Sequence, residues 1–110
     1  MSIQQCRPSA TLDGADRGEH ARLFKALGDP HRLTILATLA RAEDEVCVCD
    51  FTSALPLNQP AVSHHLKNLR DAKLVTCERR GTWVYYRLAA DARARIQTAV
   101  GSLLPEKVLA

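Results

Sequence analysis

The sequence predicts a mainly helical α+β fold, a winged helix-turn-helix in the order ααααββα, and three observations carry that expectation. Apolar residues recur with helical period near both ends of the chain. Two short helical segments meet at a tight turn around Leu57-Asn58, and Leu74 to Leu88 is rich in β-branched and aromatic residues interrupted by Arg80-Gly81-Thr82. The 110 residues match the size of one domain. They read as a flexible arm over residues 1–14 and a single folded unit over 15–110.

Each element follows from local chemistry. His20, Leu23, Phe24 and Leu27 share one helical face, and Gly28 is a natural stop. Asp29 suits an N-cap and Pro30 a first helical position, so a second helix starts at once, with Leu33, Leu36, Leu39 and Ala40 expected as its buried stripe. The charged run Arg41 to Glu45 ends it. Val46-Cys47-Val48-Cys49-Asp50-Phe51 then leads into a short helix through about Leu55. Asn58 caps a helix to about Ala72 whose inward face is Val62, Leu66 and Leu69. In the hairpin, alternation places Val84, Tyr86 and Leu88 on one face and Trp83, Tyr85 and Arg87 on the other, with the three aromatics packing the hairpin onto its domain. The last helix, about Asp91 to Leu104, carries Ile96, Ala99, Val100, Leu103 and Leu104, a stripe with no remaining element to cover it and therefore an expected dimer surface.

Composition narrows the function. The chain is 46% hydrophobic and 25% charged, a globular balance, and no stretch reaches the roughly 20 apolar residues of a membrane span. The N-terminal residues lack the apolar run of a secretory signal, so a cytoplasmic protein is expected, and in that reducing setting Cys6, Cys47, Cys49 and Cys77 are thiols or metal ligands rather than disulfides. Net charge is only +3, but between Gln59 and Arg87 six basic residues face only Asp71 and Glu78. That concentration is the footprint of a phosphate-binding surface. No nucleophile is paired with a general base or an oxyanion loop, which argues against an enzyme.

With Val62, Leu66 and Leu69 pointing inward, Gln59, Pro60, Ser63, His64 and Lys67 fall on the outer side of their helix, where Gln59 suits a base edge, Ser63 and His64 a base or phosphate, and Lys67 a phosphate. His65 flanks the inward face as a packed histidine. Arg79 and Arg80 precede the glycine turn, as in a ribbon reaching phosphates or a minor groove. The candidate partner is double-stranded DNA.

Cys47 and Cys49 admit two readings, small buried hydrophobes or joint ligands of one soft ion. Positions i and i+2 of a regular helix point about 200° apart, so joint ligation requires the start of the short helix to be extended or distorted. Cys77 alternates with Val75 and is expected to point into the domain.

By these residues the chain resembles the ArsR/SmtB family of metal-sensing repressors. Leu23-Phe24-Lys25-Ala26-Leu27-Gly28-Asp29-Pro30-His31-Arg32-Leu33 is similar to that family's helix junction, Gln59 to Lys67 to its recognition helix, and Gly81-Thr82-Trp83-Val84-Tyr85-Tyr86 to its wing. The resemblance implies a homodimer built on the first and last helices that binds an imperfectly palindromic operator and leaves it when an inducer binds. Val46-Cys47-Val48-Cys49-Asp50 looks like the Cys-Val-Cys element of arsenic- and cadmium-responsive members. The arsenic-responsive branch often has a third cysteine where this chain has Thr52, which directs attention to Cys6, because cadmium- and lead-responsive members bring arm cysteines to this element. Three sulfurs suit As(III) or Sb(III), and a fourth ligand would suit Cd(II) or Pb(II). The last helix contains no histidine, which disfavours the family's zinc route. A thiol-redox or persulfide switch, and a constitutive DNA-binding protein with inert cysteines, are the remaining alternatives.

Overall fold

The computed structural model describes residues 14–106; the expected arm, including Cys6, lies outside the described residues apart from its last position. The order is α1 (Gly14–Leu27), α2 (Pro30–Arg41), β1 (Val46–Cys47), α3 (Val48–Ala54), α4 (Gln59–Asp71), β2 (Val75–Arg80), β3 (Trp83–Leu88) and α5 (Ala92–Leu103). All five expected helices and the hairpin are present, in the expected order.

The helix starts follow the capping chemistry. The Asp29 carboxylate accepts from the backbone N–H of His31 at 2.8 Å and of Arg32 at 3.2 Å, and Pro30 opens α2. The Asn58 side chain accepts from Ala61 N–H at 3.0 Å, again ahead of a proline. The sheet turn is a two-residue loop with Gly81 first, at φ 63, a conformation that suits glycine and matches the right-handed twist of a hairpin.

Val62, Leu66 and Leu69 of α4 are fully buried among Leu23 of α1, Ile35 and Leu39 of α2, Phe51 of α3, and Leu74 and Val75 at the entry to β2. Burying each such side chain is worth about 1.5 to 3 kcal/mol, so this cluster fixes how α4 is presented. Ala89 N–H donates to the Leu74 carbonyl at 2.9 Å and closes the base of the hairpin.

Four features differ from expectation. The core side of α2 is Ile35 and Leu39, while Leu33 is 52% exposed and Leu36 is only partly buried; the helix has two apolar stripes, and periodicity alone does not rank them. The second stripe, with Ala37 and Ala40, lines an apolar groove against Ile96 of α5. The last helix likewise divides: Ala92 and Ala99 are fully buried on the domain, and Val100, Leu103 and Leu104 are exposed. Trp83 is 53% exposed, so of the three hairpin aromatics Tyr86 is the one buried in the core. Finally, Val46–Cys47 is a strand. It pairs antiparallel with β3, Val46 opposite Tyr86 and Cys47 opposite Tyr85, making a three-stranded sheet in the order β1-β3-β2.

Candidate functional site

The outer face of α4 meets one side of the wing across an open groove of about 880 Å³. Gln59, Ser63 and Lys67 line its α4 wall, Arg79 and Trp83 its wing wall, and the Cys47-Val48-Cys49 segment its floor. Gln59, Pro60, Ser63, His64 and Lys67 are all exposed, as a reading surface requires. Lys67 pairs with Asp71 one turn later, Nζ to Oδ2 3.0 Å, an exposed contact that a phosphate can displace at small cost.

α4 is also tied to the α1–α2 corner by Arg32. Its Nε donates to the Ala26 carbonyl at 2.6 Å, Nη2 to the Lys25 carbonyl at 3.3 Å, and Nη1 to His65 Nδ1 at 3.2 Å. A guanidinium only donates, so Nδ1 accepts and the neutral His65 carries its proton on Nε2. Burial lowers the His65 pKa, assisted by the positive charge of Arg32 and opposed by Asp29, whose carboxylate lies 3.9 Å away. His65 is thus the packed histidine expected of it. His31 packs on it with ring centroids 5.7 Å apart.

The two wing arginines, equivalent in the linear sequence, part company across the ribbon. Arg79 opposes Val84 and lines the groove. Arg80 lies on the opposite face, its guanidinium paired with Glu45 and Glu78 and stacked 4.7 Å from the centre of the Tyr85 ring. Arg87 completes the set, reaching Glu45 at 3.2 Å and Asp44 at 3.3 Å. Hydrogen bonding from Arg80 holds the Glu45 carboxyl below its ordinary pKa, with Arg87 reinforcing it. Asp44 and Glu45 are therefore committed to the wing. In the sequence Glu45 stands out only as one of the carboxylates near the cysteines, and a partner 35 positions away leaves no signal in a linear pattern.

At the floor, Cys47 is extended at φ −74 and ψ 147 and forms the N-cap of α3, while Cys49 lies in the first turn. That break from helical geometry turns the two side chains toward each other: the sulfurs are 2.7 Å apart, both residues free cysteines, Cys47 buried and Cys49 exposed. The hydrogen bond to Cys47 raises the Cys49 pKa, with burial and the Asp50 charge adding to it. Thr52, three residues beyond Cys49, donates from its hydroxyl to the Val48 carbonyl at 3.1 Å. Among the described residues, no three His, Cys, Asp or Glu side chains are grouped to hold a metal ion.

Cys77 departs from its expected core position. It is exposed in the same groove, opposite Tyr86, and its sulfur accepts from Arg70 Nη1 at 3.6 Å. Strand alternation correctly puts it on the side of Val75, but α4 covers only the start of β2.

Over residues 29–76 the chain matches the family model described as bacterial regulatory protein, arsR family. It is 48% identical over 66 residues to the arsenic resistance transcriptional regulator ArsR1 of Pseudomonas putida; the alignment takes in 60% of this chain and 51% of the relative, about half that protein's length. With the transcriptional repressor SmtB homolog of Synechocystis, identity is 39% over 105 residues, 94% of this chain and 76% of the other. Among solved structures, the ArsR-like transcriptional regulator from Rhodococcus matches with a TM-score of 0.68 at 26% identity, over 81% of this chain and 82% of that one. These relatives are regulators of transcription, not enzymes. A winged helix with an exposed, cation-flanked recognition helix and alignments of this extent lead to one assignment: the chain belongs to the arsR family of bacterial regulatory proteins.

Proposed function

We propose that this chain is a thiol-based metal(loid) sensor: a repressor that binds operator DNA as a homodimer when empty and leaves it when As(III) or Sb(III) takes Cys47 and Cys49. The observation that carries this reading is the convergence of the two sulfurs, 2.7 Å apart, in the floor of the groove that α4 and the wing share. A soft ion bonded to two thiolates at about 2.3 Å holds them roughly 3.5 Å apart. One ion bonded to both thiolates therefore ties Cys47 on β1 to Cys49 on α3 in a single geometry. Phe51 of α3 packs into the same core as Val62 and Leu66 of α4, so that constraint is transmitted to α4.

Gln59, Pro60, Ser63, His64 and Lys67 make the base and phosphate contacts of this reading, with Arg79 and Arg80 on phosphates or in the minor groove. The dimer forms through α1 and α5, where Val100, Leu103 and Leu104 offer exposed apolar surface. Cys6 is the third sulfur. Similarity to an arsenic resistance regulator of Pseudomonas putida favours arsenic; Cd(II) or Pb(II) would need a further donor. DNA and inducer oppose each other through linkage, with about 1 to 3 kcal/mol of coupling.

The test is operator release, followed by fluorescence anisotropy, with arsenite, antimonite, cadmium, lead, zinc and an oxidant. Wild type is expected to respond to arsenite and antimonite, Cys47→Ser and Cys49→Ser to neither. Release that survives both substitutions overturns the reading, an unchanged arsenite response in Cys6→Ser removes the third ligand, and release by oxidant alone transfers the switch to redox chemistry.

A further inference from the structure

The carboxylate beside the dithiol has a second role. We propose that Glu45 is an intramolecular competitor of the DNA phosphates for Arg80, seated on the segment that carries Cys47 so that loading of the thiols alters the wing's grip on DNA.

The geometry is that of a phosphate clamp turned inward. Both Glu45 oxygens are taken by the Arg80 guanidinium, Nη2 to Oε2 at 2.9 Å and Nη1 to Oε1, and Arg87 Nη2 shares Oε2 at 3.2 Å. A bidentate fork of this kind is the arrangement a guanidinium otherwise offers to phosphate, and it is stronger than a single-point contact. The Glu45 side chain is only 13% exposed while that of Arg80 is 49% exposed, so the carboxylate is the fixed partner and the arginine the one that can leave. Glu78, holding Arg80 Nε at 2.6 Å, is itself 61% exposed and contributes less. Arg79, on the other face, lines the groove. In the absence of DNA the wing thus presents one arginine toward the groove and holds another back.

Two routes join this clamp to the thiols. Glu45 is two residues before Cys47, and Arg80 lies over the ring of Tyr85, which is the residue opposite Cys47 in the β1–β3 pairing. Only Val46 separates Glu45 from Cys47, so a constraint imposed on Cys47 is felt directly at Glu45. This part of the inference rests on the proposed inducer site; the competition between Glu45 and phosphate does not.

The experiment measures operator affinity of the full-length protein against salt concentration, with and without arsenite. Glu45→Gln keeps the size of the side chain and removes the charge. It is expected to bind DNA several-fold more tightly, and the slope of log affinity against log salt should steepen by about 0.9, the mark of one more phosphate engaged. In wild type, Arg80→Gln is expected to weaken binding; in the Glu45→Gln background the same change should weaken it more and abolish the gain. Glu45→Asp, which keeps the charge on a shorter arm, should fall between, and far-UV circular dichroism confirms that each variant is folded. Arsenite should release Glu45→Gln less completely than wild type. Weaker binding by Glu45→Gln with an unchanged salt slope overturns the proposal, because the carboxylate would then only be shaping the wing. An arsenite response identical to wild type, beside the expected gain in affinity, overturns the link to the thiols and leaves the competition standing. If wild type itself ignores arsenite, the inducer reading fails, while affinity and slope still decide whether Glu45 competes with phosphate.

Discussion

Helix α4 and the cysteine junction form a wall and the floor of one groove and are held in opposite ways. α4 is 13 residues long, opens on a side-chain cap from Asn58, and sinks three fully buried residues into the centre of the core. The β1–α3 junction is a two-residue strand followed by a seven-residue helix with no side-chain cap bond, and its buried residues are Cys47 and Phe51. A surface that must match DNA in shape gains from rigidity, and a site that must change shape on loading gains from being held lightly. The contrast agrees with the proposed division, in which one region reads and the other switches.

The most severe way to break the contrast is to loosen α4. Leu66→Ala removes a fully buried side chain and is expected to cost about 2 to 5 kcal/mol in urea denaturation, with operator binding lost as the helix ceases to be presented. The same kind of change at the junction sharpens it: Cys49→Ser, at an exposed position, should leave stability within about 0.5 kcal/mol and operator affinity unchanged while inducer release disappears. Next in size is Asn58→Ala, which removes the bond to Ala61 N–H and should lower stability by about 1 kcal/mol by thermal unfolding.

A smaller effect of opposite sign is expected just past α4. Lys73 has φ 61, a left-handed conformation that glycine adopts freely and lysine does not. Lys73→Gly should raise the melting temperature, by the equivalent of up to about 1 kcal/mol.

The smallest effect is in pH. Burial holds His65 below its unfolded value of 6.5, so above 6.5 folded and unfolded states are both neutral and His65 contributes no pH dependence. As pH falls through 6.5 the unfolded chain takes up a proton that the folded one declines, and stability drops until the lower folded pKa is reached. His65→Asn should flatten that part of the stability profile, measured by denaturation between pH 7.5 and 5.5. An unchanged slope would show that the Arg32 contact does not depend on a neutral ring.

What the sequence disclosed and what it withheld follow the same division. Asp29, Asn58 and Gly81 act within three residues of themselves, so composition is enough to place them. The inward face of α4 is legible because its three buried positions share one clean stripe. α2 misled because Leu33, Leu36 and Ala40 form a second stripe as apolar as that of Ile35 and Leu39. β1 was missed because its two residues have no pattern of their own and exist as a strand only against Tyr85 and Tyr86. The outward position of Cys77 depends on where α4 stops covering β2, and the commitment of Arg80 on a residue 35 positions earlier; neither is a local property.

The brevity of β1 has one more consequence, for exchangeability. The segment from Glu45 to Cys49 touches the sheet through two ladder positions and supplies none of the exposed α4 side chains that face the groove. On the proposed inducer site, replacing the ligands at Cys47 and Cys49 while keeping Glu45 changes what the protein detects and leaves the exposed face of α4 in place. New detection specificities can then be fitted to an existing operator without redesigning the helix that reads it.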